Sequence, residues 1–200
     1  MLRLGFPKAS PLHPAVRAAV IAATALVLQS CAPWKEAKPT AGGFTVKMPG
    51  NASCNFSRGP SDFGNLPGSV CWGDAHTVRS KSFGIYMASG YALPPNQDLE
   101  AVIRTTSEEI KSGVRDSGSI VVADEQREMN GAVWSAITME GGEVENRIRT
   151  VRLATVRREG AFALAVTGPA DAWPTQDADR FFASFRFRGR PGDFGDSQRK

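Results

Sequence analysis

The sequence predicts an α+β domain, an antiparallel β-sheet of about six or seven strands packed with two main helices. Three observations predict it. Residues 98–112 place Leu99, Val102, Ile103, Thr106 and Ile110 on one stripe at helical spacing, with Glu100, Arg104 and Glu108 on the other side. Four strand-type runs follow at 119–128, 132–140, 144–157 and 161–168, joined by links so short that neighbours must run antiparallel. A second helical pattern over 175–184 then sets Phe181, Phe182 and Phe185 to dock on that sheet.

From the N-terminal side, Phe44, Val46 and Met48 alternate with Thr45 and Lys47 in a first strand stopped by Pro49-Gly50. A loop rich in Gly, Ser, Asn and Pro runs on to Ser69, and strands are expected at 69–72, 77–80 and 83–89. Pro94-Pro95-Asn96 turns into the long helix, which Asn96 or Asp98 can cap and Gly113 can end. Asn130-Gly131 is a hairpin signal, because both residues tolerate the positive φ of a type I′ turn. Gly141-Gly142 and Glu159-Gly160 mark the next two turns, and a bulge near Thr150 would bring the long 144–157 strand into one phase. Thr175 is the expected cap of the second helix, and 185–188 adds a last strand.

The first thirty residues have another character. Arg3, Lys8 and Arg17 occur without an acid, and 18–28 is then apolar except for Thr24, a charged region followed by a hydrophobic one. Eleven such residues rise only ~16 Å as a helix, about half the hydrocarbon thickness of a bilayer. Leu28-Gln29-Ser30-Cys31 resembles the bacterial lipobox. The resemblance implies a lipoprotein signal peptide over 1–30, cleavage after Ser30, diacylglycerol on the Cys31 sulfur and acylation of the new amino group. Two or more chains anchor stably where one does not. Ala32, rather than Asp, implies the outer membrane, facing the periplasm. The alternative is an ordinary secretory signal cut after Ala32. Residues 31–43, with Pro33, Pro39, Gly42 and Gly43, then read as the lipidated cysteine and a flexible tether. Residues 44–188 form a single domain large enough to bury about 70 % of its unfolded surface, and 189–200 a disordered tail.

Charge and cysteine content narrow the function classes. The leader takes three of the 24 basic residues with it and none of the 20 acids, which leaves a net charge of about +1. The pI of 9.2 therefore owes much to the leader, and no concentrated basic field suggests a nucleic-acid partner. With Cys31 assigned to lipid, Cys54 and Cys71 remain as a pair. In an oxidising compartment a disulfide between them would stabilise the fold by about 3 kcal/mol. Two buried free thiols are the other possibility.

A strand opening Phe44-x-Val46-x-Met48-Pro49-Gly50, a helix, a meander turning at Asn130-Gly131 and a closing helix ending in Phe182, Ser184 and Phe185 resemble the PsbP-like superfamily. DcrB-type bacterial lipoproteins belong to that group. The resemblance spans 44–187, rests on scaffold positions and implies an α/β/α sandwich. It implies an accessory or binding protein rather than a catalyst. The insertion from Cys54 to Cys71 departs from the family's short connection.

Chemistry-bearing residues are sparse. His76 is the single histidine beyond the leader, with Asp74 two residues away and Cys71 five, so a Cys71-His76 pair is the one nucleophile-base combination to weigh against a disulfide. No metal-ligand spacing occurs, and neither metal nor cofactor is expected. Arg147, Arg149, Arg152, Arg157 and Arg158 crowd one strand. If Arg147, Arg149, Arg152 and Arg157 share a face they offer a surface for an anionic ligand; otherwise they line a solvated face beside Glu143 and Glu145. Trp72, Trp134 and Trp173 read as core or staple residues, Trp72 packing on the disulfide. The expected function is therefore a non-enzymatic, lipid-anchored module of the cell envelope that binds an envelope protein or an anionic ligand. A thiol-dependent envelope enzyme and a structural, stress-related surface lipoprotein are the alternatives.

Overall fold

A computed structural model describes residues 33–50, 52–58, 67–77, 82–93, 98–116 and 118–188. The expected leader, Cys31, the turn at 94–96 and the tail at 189–200 lie outside the described residues. Among the described residues, ten strands and two α-helices follow one another as β1 (Lys35–Ala37), β2 (Phe44–Met48), β3 (Ser53–Arg58), β4 (Pro67–Thr77), β5 (Ser82–Ala92), α1 (Leu99–Asp116), β6 (Ile120–Met129), β7 (Ala132–Gly141), β8 (Ile148–Arg157), β9 (Gly160–Pro169), α2 (Thr175–Ser184) and β10 (Arg186–Phe187). Seven of them make an antiparallel sheet in the order β3-β4-β5-β9-β8-β7-β6. The meander β6 to β9 forms as expected: Asn130 and Gly131 both have positive φ and close a two-residue turn between Met129 and Ala132. A smaller sheet, β1-β2-β10, lies apart.

The core sits between the large sheet and the small one with α2. Phe44, Val46 and Met48 of β2 have no exposed surface and pack with Leu153, Leu164 and Phe181. Phe185, at the end of α2, stacks on Phe44 (centroids 5.6 Å) and meets Trp134 edge-on at 5.2 Å and Phe187 at 5.1 Å. Such pairs are worth about 0.5–1.5 kcal/mol each beyond the area they bury. The Trp134 indole N–H donates to the Met129 carbonyl (3.0 Å), so its one polar atom is satisfied. Beyond the end of β10, the Ser184 hydroxyl continues the pairing of β2. It accepts the Lys47 backbone N–H at 2.9 Å and itself donates to the Phe181 carbonyl at 2.7 Å. Gly42 has φ +121°, and its carbonyl lies where a Cβ on Gly90 would sit, so the chain entering β2 crosses β5 at backbone contact. On the other face, α1 packs on β6 and β8, and Lys111 reaches Asp124 of β6 at 3.1 Å. The two helices thus flank the large sheet.

Several elements differ from expectation. The tether is not free chain: Lys35–Ala37 pairs antiparallel with β2, and Ala37 and Ala41 are buried. Pro33 and Pro39 bracket this strand instead of interrupting it, so the folded unit begins before Phe44. The loop expected before Ser69 contains β3, whose sequence SCNFSR has no apolar alternation and which is placed by pairing with β4. The strands expected at 69–72 and 77–80 are one element as far as Thr77, beyond which 78–80 lie outside the described residues. In the expected 144–157 strand, Val144–Asn146 is a 3-10 turn and β8 starts at Ile148. No bulge brings the arginines into one phase: β8 stays in unbroken register with both neighbours, so Arg152 remains on the opposite face from Arg149 and Arg157, and a register shift falls instead between Val121 and Ala123. Helix α1 continues past Gly113 to Asp116. Its cap is Asp98, whose Oδ1 accepts the N–H groups of Glu100 (3.0 Å) and Ala101 (3.2 Å). Thr175 is the first helical residue of α2 and not its cap, a position held by Pro174 without a side-chain bond. Trp72 is 44 % exposed, on the opposite face of β4 from the neighbouring Cys71.

Cys54 and Cys71 stand directly opposite on β3 and β4, with Cα atoms 4.0 Å apart, and are joined by a disulfide. The bond fastens an exposed edge strand to the core, because Cys71 is fully buried. Tyr86 is the other notable core group. Its ring meets Trp34 and Phe181 edge-on at 5.7 and 5.4 Å, and its buried hydroxyl has no hydrogen-bond partner among the described residues. Burial first, and the Asp177 carboxylate second, raise its ionisation well above the ordinary value of 10.0.

Two measurements check these points. Replacing Cys54 and Cys71 together by Ala is expected to lower the stability measured by urea unfolding by about 3 kcal/mol; an unchanged midpoint would show that the bond does not constrain the chain. Because the Tyr86 pKa is raised on folding, its effect on stability is flat below pH 10.0 and turns unfavourable as the unfolded phenol ionises above it. Tyr86→Phe is accordingly expected to raise stability by about 1 kcal/mol near neutrality and to flatten the loss on the alkaline side. A lower midpoint for this variant would mean that the hydroxyl has a partner.

Candidate functional site

The arginine-rich strand does not form one cationic surface. Arg149 and Arg157 share the core face of β8 with Val151, Leu153 and Thr155 and stand at the two ends of that row. At one end Arg149 donates to Glu140 Oε1 from Nη2 (2.7 Å) and Nε (2.9 Å), its guanidinium lying 5.8 Å from the Trp173 ring centre. Arg147, before the strand, approaches Glu140 Oε2 at 3.5 Å, so one largely buried carboxylate takes both cations. At the other end Arg157 covers the Phe187 ring at 4.3 Å and pairs with Glu159 at 3.3 Å. Arg152 points to the opposite face, in register between Ile137 and Ala165. These arginines roof the ends of the aromatic core.

Cys71 is occupied by its bond to Cys54 and is no free thiol. His76 lies five residues further along β4, a rise of about 17 Å in an extended strand. Among the described residues no three His, Cys, Asp or Glu side chains converge as metal ligands. Of the tryptophans, Trp134 is fully buried, Trp173 is half-buried beneath Arg149, and Trp72 is exposed.

A different set of residues forms a groove. An open cavity of about 410 Å³ runs between the outer face of the small sheet and the C-terminal half of α2, lined by Glu36, Thr45, Lys47, Arg180, Ser184 and Arg186. Strand alternation produces it. With Phe44, Val46 and Met48 turned inward, Thr45 and Lys47 face outward; Thr45 stands opposite Arg186, and Lys47 opposite Glu36. Arg180 lies over the Trp34 ring at 4.6 Å. Arg186 Nη1 donates to Asn130 Oδ1 (2.9 Å) and to the carbonyls of Ala183 and Phe185 (both 2.6 Å). Among the described residues neither Lys47, Arg180 nor Arg186 has a carboxylate within ion-pair distance, and Glu36 is 3.4 Å from Lys38. Sequence reasoning missed this set. Its single local trace is Lys47 at an outward position of an alternating strand.

No family model and no curated protein matches the chain. Solved structures do. A protein from Bacteroides thetaiotaomicron matches 76 % of this chain at 12 % identity with a TM-score of 0.45, and this chain spans half the length of that one. LpqN of Mycobacterium tuberculosis, described as involved in cell envelope biogenesis, matches 78 % of this chain and 91 % of its own at 11 % identity and a TM-score of 0.44. Cyanobacterial PsbP (CyanoP) from Synechocystis sp. PCC 6803 matches 78 % of this chain and 93 % of its own, at 16 % identity and a TM-score of 0.52. At that identity the likeness is one of fold: the chain has an α+β, PsbP-like fold.

Proposed function

We propose that the chain is a lipid-anchored accessory module of the bacterial cell envelope, held at the periplasmic face of the outer membrane through Cys31, whose task is to bind an envelope protein or an anionic ligand. The observation that carries this reading is the apolar leader ending in Leu28-Gln29-Ser30-Cys31 directly ahead of a folded unit that begins near Trp34. The Cys54–Cys71 disulfide supports export, since such bonds persist in oxidising compartments. No helix among the described residues is long and apolar enough to cross a membrane, so attachment in this reading falls to the lipid. Binding is preferred to catalysis because the one candidate nucleophile, Cys71, is held in a disulfide, while the polar groups that do converge form a cationic groove suited to holding an anion.

Intact-mass analysis of the chain purified from bacterial membranes tests the anchor. A mature chain starting at Cys31 and heavier by a diacylglyceryl and an acyl group is expected, and Cys31→Ser should shift the protein from the membrane to the soluble periplasmic fraction. An unmodified Cys31, or a chain starting beyond it, would overturn the reading.

A further inference from the structure

We infer that the groove between α2 and the outer face of the β1-β2-β10 sheet is a seat for the phosphate of an anionic lipid headgroup, presented to the membrane that carries the anchor. Its charge is the first argument. Lys47, Arg180 and Arg186 converge on one cavity with Glu36 as the sole acid among its lining residues, and Glu36 already lies beside Lys38. Arginine and lysine in such a concentration attract phosphate, and arginine binds it with two parallel donors. The side chains are also held in place beforehand. Trp34 supports the Arg180 guanidinium, and backbone carbonyls hold Arg186 by Nη1, leaving its other nitrogens facing no described acceptor. The Thr45 hydroxyl adds a further polar group beside Arg186. The two arginines therefore have little side-chain freedom left to lose when an anion binds.

Position is the second argument, and it rests on the anchored reading. Only Ala32, Pro33 and Trp34 separate Cys31 from β1. Even fully extended, the four steps to Lys35 reach only about 14 Å, so a lipid on Cys31 would hold the small sheet close to the headgroup layer. Trp34, the last of those three residues, is the one that supports Arg180, so the groove wall begins three residues after the attachment point. At physiological salt the field of an anionic surface fades over about 8 Å, so within the roughly 14 Å that the link allows the groove meets that field when the small sheet rests against the headgroups.

Amine acetylation of the full chain, read residue by residue by mass spectrometry, tests the inference. The chain is purified from membranes, its intact mass recorded, and it is placed in nanodiscs of phosphatidylcholine alone or with about one-third phosphatidylglycerol. Acetylation of Lys47 is expected to fall about threefold or more in the anionic discs, while Lys111 on the far face changes little; high salt should abolish the difference. Arg180→Gln, an exposed position, should weaken the protection, and Arg180→Gln with Arg186→Gln should remove it. A lipid-bearing chain whose Lys47 reacts equally in both discs overturns the groove and leaves the anchor standing. Protection in anionic discs by a chain whose mass shows no lipid overturns the anchor alone. Equal protection by glycerol phosphate added to phosphatidylcholine discs would identify a free phosphate ester as the ligand and overturn the headgroup as its source.

Discussion

The fold depends on one buried contact, the apolar face of a five-residue strand pressed onto a seven-stranded sheet. Phe44, Val46 and Met48 have no exposed surface, and the surrounding elements are arranged so that this remains true. β1 and β10 pair with the two edges of β2, and the Ser184 hydroxyl takes over where β10 ends. Phe185 links helix, strand and sheet through its rings against Phe44, Trp134 and Phe187. A five-residue strand cannot bury this much by itself; its neighbours at the chain's two ends complete the enclosure. The groove is the other side of the same arrangement, since turning Phe44, Val46 and Met48 inward turns Thr45 and Lys47 outward.

Elements whose determinants are local were legible in the sequence. The helix α1, the Asn130-Gly131 turn and the meander β6 to β9 depend on spacing or on short links, and all appear in the structure; of the stripe expected on α1, Val102 is buried and Ile103 exposed. β1 and β3 were not legible. Lys35–Ala37 is three residues between prolines, and Ser53–Arg58 has no alternating apolar pattern; both become strands only because a distant, better-formed strand offers its edge. The arginines of β8 misled for a related reason. Their odd and even numbering looked like a phase defect needing a bulge, whereas a 3-10 turn takes Val144–Asn146 out of the strand altogether. The rest of the strand runs without a bulge, so Arg149 and Arg157 stand in the core row, where aromatic rings and acids receive them, and Arg152 stands on the other face.

The disulfide was legible as a pairing but not as a position. Counting cysteines leaves Cys54 and Cys71 together; that they face each other across an edge pair follows only from the register of β3 on β4. The cationic groove was not legible, because Lys47 and Ser184 are 137 residues apart and no local pattern joins them to Arg180 and Arg186. Charge runs within one strand attract attention in a sequence. Among the described residues, the groove's cations, which have no carboxylate within ion-pair distance, come one at a time from separate elements.

The outermost strand of the meander, β6, offers a ten-residue edge with Ile120, Val121 and Val122 in solvent. An open ladder of that length invites a foreign chain to add itself, the first step toward aggregation. The displaced register at Val122 interrupts the hydrogen-bonding rhythm immediately after its greasiest stretch, and Asp124, Glu125, Arg127 and Glu128 charge the remainder. Crowding many copies onto a surface would therefore not zip them together along β6, and on that side the sheet would stop growing there.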